Sequence, residues 1–533
     1  MNPTDEQAAA ADAFRRGEHL ALQAGAGTGK TTLLEMLARS TPRRGRYLSY
    51  NRSIAQDATA RFPNTVQCKT THSLAYAAIG HRYTRRLNAP RRPAWKTGRV
   101  LGLTEDICIG DRKISQRALS NAVLRTVSRF CHTADQTITH RHVPKLRGLE
   151  DKDLHRELAN HLVPFAHKAW KDLQNPEEGC VRFEHDHYLK IWALTQPRLD
   201  ADYLLLDEAQ DTDPVVEAIF LAQRDHAQLV MVGDSAQAIY HWRGAKDVMS
   251  DFNGTQLPLS QSFRFGPDLA AEANLWLHLA NAPIRLTGTP AVPTEIGPVT
   301  CPDAVLCRTN VGAMAQVITL MTAGQRVALA GGGDALRALA EAARDLKEGR
   351  PTHHPELVLF LSWGDLKDYA AHDPAGRDLQ PLVNLVDNHG TDAILDAVAR
   401  LVPEEHAQVT ISTAHKAKGR EWHCVVIADD FPRPKEHPPQ DNGRPAPPPK
   451  PIDDAEARLA YVAVTRTRQR LDLGGLSWIH ETSLRQQQLG HVEALCRDDL
   501  GDHELDSRAI RALGADTASA QSDAPFACGL RDG

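Results

Sequence analysis

The sequence predicts an α/β protein built on parallel sheets with helices on both faces. Three observations predict it. Short apolar runs recur at Leu20-Ala21-Leu22, Tyr203 to Leu206, Leu229 to Val232, Val305-Leu306 and Val425 to Ala428, ending in polar, Gly-containing loops. Segments of helical spacing lie between them, such as Leu33, Leu34, Met36 and Leu37, or Leu269, Ala273 and Leu277. A glycine-rich loop joins the first run to the first helical segment. Strands alternating with helices require crossover connections, and these lay helices over both faces of a parallel sheet.

Length and composition set the frame for those elements. A chain of 533 residues predicts three to four domains. With 42% hydrophobic and 24% charged residues it has a globular composition, which excludes wholesale disorder. Nine cysteines without a Cys-x-x-Cys pair argue against a zinc ribbon or a disulfide framework and predict a reduced, intracellular protein. No run approaches the ~20 apolar residues that span a bilayer. The acidic start Met-Asn-Pro-Thr-Asp-Glu-Gln lacks the basic flank and apolar stretch of a signal peptide, so no membrane partner is expected. Nine prolines within residues 431–451 predict a loop or stiff spacer, and Ala515 to Asp523 reads as disordered.

Charge is uneven. The formal charge is −5, yet residues 81–150 hold fifteen Lys/Arg against five Asp/Glu. A basic block inside an acidic protein is the footprint of a phosphate backbone, with a solvated surface as the alternative.

The first strand leads into Ala24-Gly25-Ala26-Gly27-Thr28-Gly29-Lys30-Thr31-Thr32. Small residues there let backbone N–H groups cradle phosphate oxygens at a helix N-terminus. Lys30 would neutralise β/γ-phosphates and the Thr31 hydroxyl would bind Mg²⁺, although Ala24 stands where the strict pattern has glycine. The second run ends in Asp207-Glu208. With a phosphate loop upstream, Asp207 completes a Mg²⁺ shell and Glu208 orients or deprotonates the attacking water. The alternative is two acids capping the next helix near Pro214.

From these residues onward the chain resembles superfamily 1 DNA helicases of the UvrD/Rep type. Thr4-Asp5-Glu6-Gln7 resembles the Q motif, Gly233-Asp234-Ser235-Ala236-Gln237 through Tyr240-His241-Trp242-Arg243 motif III, and Ser262-Phe263-Arg264 motif IV. Thr413 to Trp422 resembles motif V and Tyr461 to Arg468 motif VI. Tyr50-Asn51-Arg52, Lys69 to Tyr76 and Tyr188 to Trp192 narrow the likeness to the helicase part of the F-box DNA helicases, over residues 4 to 475. So few residues precede Gln7 that no F-box is expected. A stand-alone bacterial or phage-encoded version, cytoplasmic and nucleoid-associated, is expected, in keeping with an Ala- and Arg-rich composition.

The resemblance implies two RecA-like P-loop domains with a mainly helical insertion, 1B, and a reduced 2B insertion. The expected boundaries are 1–80 and 196–260 for domain 1A, 81–195 for 1B, 261–334 and 406–480 for domain 2A, 335–405 for the 2B-like insertion, and 481–533 for a partly disordered tail. It also implies an ATP cleft with Mg²⁺. Lys30, Thr31, Asp207, Glu208 and Gln237 would face Arg264 and Arg466 from the other domain, with Gln237 reporting the γ-phosphate. Gln7 would read adenine, Phe263 stack on it and Glu421 hold the ribose. The implied partners are single-stranded DNA and single/double-strand junctions, with recombinase filaments or single-strand-binding protein as further partners. Trp242 and Tyr240 would stack on bases or belong to the core. Tyr50, Asn51, Thr70, His72, Arg243, Arg308, Thr309, Asn310 and His415 would contact the strand, although His72 and His415 fit equally as buried hydrogen-bonding groups. The expected activity is ATP-dependent 3′→5′ translocation and unwinding in repair, recombination or replication; the alternative is a remodeller that strips proteins from single strands.

Overall fold

The structure is a computed structural model and describes residues 3–49, 52–89, 92–146, 149, 151–239, 249, 251–352, 354, 357, 360, 362–372, 379–434 and 452–481. The Pro-rich stretch from 435 and the tail from 482 therefore lie outside the described residues, as do Tyr50, Asn51, Tyr240, Trp242 and Arg243.

Two six-stranded sheets organise the molecule. The first uses β1 (Leu20–Ala24), β2 (Gly45–Ser49) and β3 (Val66–Thr70). A small antiparallel hairpin, β4 (Ile107–Ile109) with β5 (Arg112–Ile114), precedes its remaining strands: β6 (Tyr203–Leu206), β7 (Gln228–Gly233) and β8 (Thr255–Leu259). Its order is β3-β2-β6-β7-β1-β8. The second sheet uses β9 (Glu295–Ile296), β10 (Ala304–Cys307), β11 (Val327–Leu329), β12 (Val409–Thr413), β13 (Trp422–Ile427) and β14 (Thr467–Asp472), ordered β11-β12-β10-β13-β14-β9. Every pairing in both sheets is parallel. These are two RecA-like domains, called here the first and second lobe.

Alternation along the strands explains why their runs are apolar throughout. Leu204 and Leu206 enter one core cluster while Tyr203 and Leu205 enter another on the opposite face. In the second lobe Ala304 and Leu306 face one cluster and Val305 and Cys307 the next. A strand covered by helices on both faces has no solvent side on which to place polar residues. One cluster crosses between the lobes: Ala26, Ala236 and Ile239 pack with Phe265, Ala414 and Tyr461.

Between β3 and β6 run the helices Ala94–Leu101, Gln116–Cys131, Lys152–Leu173 and His185–Leu194. Their apolar residues Leu119, Phe130 and Leu162 join the cluster under Leu204 and Leu206. Arg82, Arg85, Lys96, Arg99, Arg112, Arg117 and Arg125 of the basic block are exposed. Arg86 is not: it is buried, paired with Asp172 at 2.9 Å and donating to the Val181 carbonyl at 2.8 Å. Helices Asp334–Lys347, Trp363–His372, Gln380–His389 and Thr391–Ala399 fill the stretch where a 2B-like insertion is expected, and Leu336, Leu366, Val386 and Ile394 share one cluster with β10, β11 and β12. Among the described residues, no helix is long and apolar enough to cross a membrane.

Candidate active site

Parallel pairing gathers the chemistry. β6, β7 and β1 are neighbours, so residues after their C-terminal ends meet at one edge of the first sheet, where open α/β sheets bind ligands. Three glycines shape the loop after β1. A Cβ on Gly25 would run into the Leu286 side chain. Gly27 has φ +75°, and a Cβ there would lie 2.5 Å from Ser262 Oγ; Gly29 has φ +78° and starts the helix Lys30–Arg39. Ala24 closes β1 in register with Leu259, in strand backbone that accepts a side chain, so the departure from the strict glycine pattern costs nothing. The Thr28 hydroxyl donates to the Gly25 carbonyl at 3.0 Å and Lys30 Nζ reaches the same oxygen at 3.3 Å. Thr32 lines the cleft one residue beyond Thr31.

The Thr31 hydroxyl donates to Asp207 Oδ2 at 2.9 Å, and the Tyr47 hydroxyl donates to the same oxygen at 2.6 Å. Two hard oxygen ligands so close suit Mg²⁺, which takes one or two protein oxygens and fills its octahedron with water and phosphate. Tyr47 escaped the sequence reading because it lies inside β2, where it looks like core. Burial and the neighbouring Glu208 charge push the Asp207 carboxyl upward, and burial raises the Tyr47 hydroxyl. Glu208 sits in left-handed backbone, φ 53°, and accepts from Gln210 Nε2 at 2.6 Å. Burial works against its charge, but Lys30 and Lys418 outweigh it and hold the carboxyl below its ordinary value.

The second lobe supplies the opposite wall. A cleft of about 680 Å³ runs between the loop and Phe263, Arg264, Glu421 and Arg468. The Phe263 backbone N–H donates to the Gly27 carbonyl at 2.8 Å, and the residue is 36% exposed. A Cβ on Gly29 would lie 3.8 Å from both Gln7 Nε2 and the Phe263 ring, so amide and ring flank the same point. Gln7 Oε1 is occupied by the helix cap, accepting from the Thr4 N–H at 3.1 Å. Glu421 accepts from Arg264 Nε at 2.7 Å and from Arg468 at 2.9 Å. Burial opposes the Glu421 charge; Arg468 and Arg264 overcome it and hold the carboxyl down.

Arg466 is 2% exposed and, among the described residues, its hydrogen bonds go to neutral oxygens: the Val462 carbonyl at 2.8 Å, Thr465 Oγ1 at 3.1 Å, Gln237 Oε1 at 3.3 Å and the Arg420 carbonyl at 3.4 Å. Burial, with the Arg264 charge next, lowers its pKa to about 9. Lys418, which lies within the motif V segment but has no role assigned there from sequence, donates to Asp211 Oδ1 at 2.6 Å and to the Gln237 carbonyl at 2.5 Å, another tie across the lobes. His423, Gln469 and Arg61 also line the cleft and carry no motif by which sequence could find them.

The expected strand contacts are more dispersed. The Thr70 hydroxyl caps the helix Thr71–Ala78, accepting from the Ser73 N–H at 3.1 Å. His72 pairs with Asp186 at 3.0 Å. Arg308 grips Glu456 through Nε at 2.8 Å, and Thr309 caps the helix that Asn310 begins. His415 is half-buried, and burial lowers its pKa. Thr70 and Arg308 thus already serve the protein's own framework, which spacing in the sequence does not reveal.

The family model described as UvrD/REP helicase N-terminal domain matches residues 1–252, and that of the UvrD-like helicase C-terminal domain matches residues 339–477. The chain is 30% identical over 518 residues to F-box DNA helicase protein 1 of Schizosaccharomyces pombe, a match covering 86% of this chain and 55% of that protein. It is 28% identical over 540 residues to F-box DNA helicase 1 of Gallus gallus, covering 93% and 50%. The chain spans about half the length of these curated relatives. Solved structures similar to it include an arterivirus nonstructural protein 10 helicase (TM-score 0.29, 11% identity, 88% of this chain and 60% of that one). Another, of two coordinating Pif1 helicases at forked double-stranded DNA, gives a TM-score of 0.32 at 12% identity, covering 89% and 92%. Both curated relatives are eukaryotic, which corrects the expectation of a bacterial or phage-encoded, cytoplasmic and nucleoid-associated protein. Alanine and arginine content tracks the base composition of a genome and does not mark a kingdom.

Proposed function

This chain belongs to the UvrD-like helicase family, and from that premise we propose that it is an ATP-dependent 3′→5′ single-strand DNA translocase and helicase. One observation carries the proposal: Arg466 of the second lobe lies buried against Gln237 of the first and, among the described residues, hydrogen-bonds to no carboxylate, with Asp234 and Glu421 acting on its charge only from a distance. A buried guanidinium held only by neutral oxygens is costly unless an anion completes its environment. ATP would supply the phosphoanhydride to cleave, and a Mg²⁺ bound with it would supply charge withdrawal from the phosphate oxygens. Lys30 and the loop amides would bind phosphate, Thr31 and Asp207 would hold the metal, and Glu208 would orient the attacking water and take its proton. Arg264 and Arg466 stabilise charge spread over the transferred group, a contribution of about 10³–10⁵ in rate for an arginine finger. Since those cations stand on the opposite lobe, turnover is tied to the approach of the lobes, and that approach moves the strand.

Thr70 ends β3 and His72 follows it in the first lobe, while Asn310 and His415 follow β10 and β12 in the second, and we assign the strand to the C-terminal ends of the two sheets; the family likeness adds Tyr240 and Trp242 as stacking residues. The family likeness supports the polarity. The test is ATP hydrolysis with and without single-stranded DNA, together with unwinding of 3′- and 5′-tailed duplexes. Strand-stimulated hydrolysis and preference for the 3′ tail are expected; hydrolysis indifferent to DNA would overturn the reading.

A further inference from the structure

Tyr461 lies in the helix Asp454–Val464 of the second lobe and is fully buried. Its hydroxyl is engaged on both sides, and both partners belong to the first lobe. It accepts from the Ala26 N–H of the phosphate loop at 2.9 Å and donates to Asp234 Oδ2 at 2.9 Å. A phenol has one proton and spare lone pairs, so it can serve as acceptor and donor at once. Asp234 does not stop there. Its Oδ2 also accepts from Gln237 Nε2 at 2.6 Å, and its Oδ1 accepts from the Ala236 N–H at 3.1 Å. Gln237 Oε1 in turn accepts from Arg466 Nη2 at 3.3 Å.

A continuous path therefore runs from the loop through Tyr461, Asp234 and Gln237 to Arg466, crossing between the lobes at three of its links. Ring packing alone does not explain it. Phenylalanine would fill the same apolar cluster, in which Ala26, Ala236 and Phe265 surround the helix. What phenylalanine lacks is the one atom that joins the loop amide to the Asp234 carboxylate. Without that atom, a buried N–H and a buried carboxylate oxygen each lose a partner, the arrangement proteins avoid most strictly.

We propose that Tyr461 is a positioning residue whose hydroxyl couples the phosphate loop to Gln237 and Arg466, so that the loop and the second-lobe cation reach the transferred phosphate in register. The proposal rests on reading the cleft as an ATPase. It assigns Tyr461 no contact with nucleotide; it acts through Asp234 and Gln237.

Tyr461→Phe is the test, because it removes one oxygen and keeps the ring. The expected result is a fall of about tenfold or more in strand-stimulated kcat, the size of one lost hydrogen bond to a charged group, with KM for ATP little changed. In the Tyr461→Phe/Gln237→Ala double variant, kcat should fall no further than in Gln237→Ala alone, since residues acting along one path are not additive. A wild-type kcat in Tyr461→Phe, or losses that multiply in the double variant, overturns the coupling. Amide hydrogen exchange gives a readout independent of turnover: exchange at Ala26 should quicken in Tyr461→Phe while that of β1 is unchanged. Unaltered exchange at Ala26 also overturns the proposal. A wild-type chain that hydrolyses no ATP would sink the reading of the cleft, and the exchange measurement would still decide the coupling.

Discussion

Replacing Gly27 with alanine tests whether the phosphate loop is pressed against the second lobe. Two separate costs arise. The φ of +75° is left-handed, where an L-residue with a Cβ costs roughly 1–2 kcal/mol. The new Cβ would also lie 2.5 Å from Ser262 Oγ and 2.6 Å from Arg264 Cβ, closer than such atoms approach. Relief must come from moving residues 262–264 away, which also stretches the 2.8 Å bond between the Phe263 N–H and the Gly27 carbonyl, a bond worth about 1 kcal/mol. Together these come to about 2–3 kcal/mol against assembly of the cleft, or about 30- to 150-fold in kcat/KM for ATP. Gly17 provides the control: its φ is +81° and a Cβ there would meet nothing within 4 Å. Gly17→Ala carries the backbone cost alone and should lower the thermal midpoint slightly while hydrolysis is unchanged. The assay is steady-state ATP hydrolysis of both variants beside circular dichroism. If Gly27→Ala hydrolyses ATP as fast as Gly17→Ala, the loop does not meet the second lobe as described.

Arg466→Ala should retain nucleotide affinity, measured with a fluorescent ATP analogue, while hydrolysis falls about 10³-fold; retained hydrolysis would remove Arg466 from the site. Lys30→Ala should abolish turnover, and appreciable residual hydrolysis would refute the assignment of the loop. His187 predicts an acid sensitivity. Burial, set against the Asp186 charge and aided by Arg86 and His132, lowers its pKa from 6.5 to about 4, and its Nδ1 accepts from the Glu184 N–H at 2.8 Å. Because the unfolded chain takes up this proton first, stability is lost as pH falls from 6.5 towards 4, by up to about 3 kcal/mol. His187→Gln keeps an acceptor for the cap and should flatten that loss in denaturation midpoints measured across the range; parallel curves for both proteins would exclude His187 as the source.

What was legible in the sequence is whatever contiguous residues can encode. The runs at 20–22, 203–206, 229–232, 305–306 and 425–428 became β1, β6, β7, β10 and β13, because strands buried on both faces favour continuous apolar runs. The phosphate loop and Asp207-Glu208 were legible because each motif is a local backbone shape with its side chains attached. Strands such as β3, Val-Gln-Cys-Lys-Thr, and β14, Thr-Arg-Gln-Arg-Leu-Asp, were not, since they alternate with exposed polar residues and reveal themselves only through pairing. The tertiary structure alone decided which distant groups touch. Tyr47 reaches Asp207 across β2 and β6, Lys418 reaches Asp211, Arg308 is taken by Glu456, and Tyr461 joins Ala26 to Asp234. Those bonds join residues 148 to 435 positions apart, and their partners are set by sheet order and the meeting of two lobes, which no local pattern of side chains records.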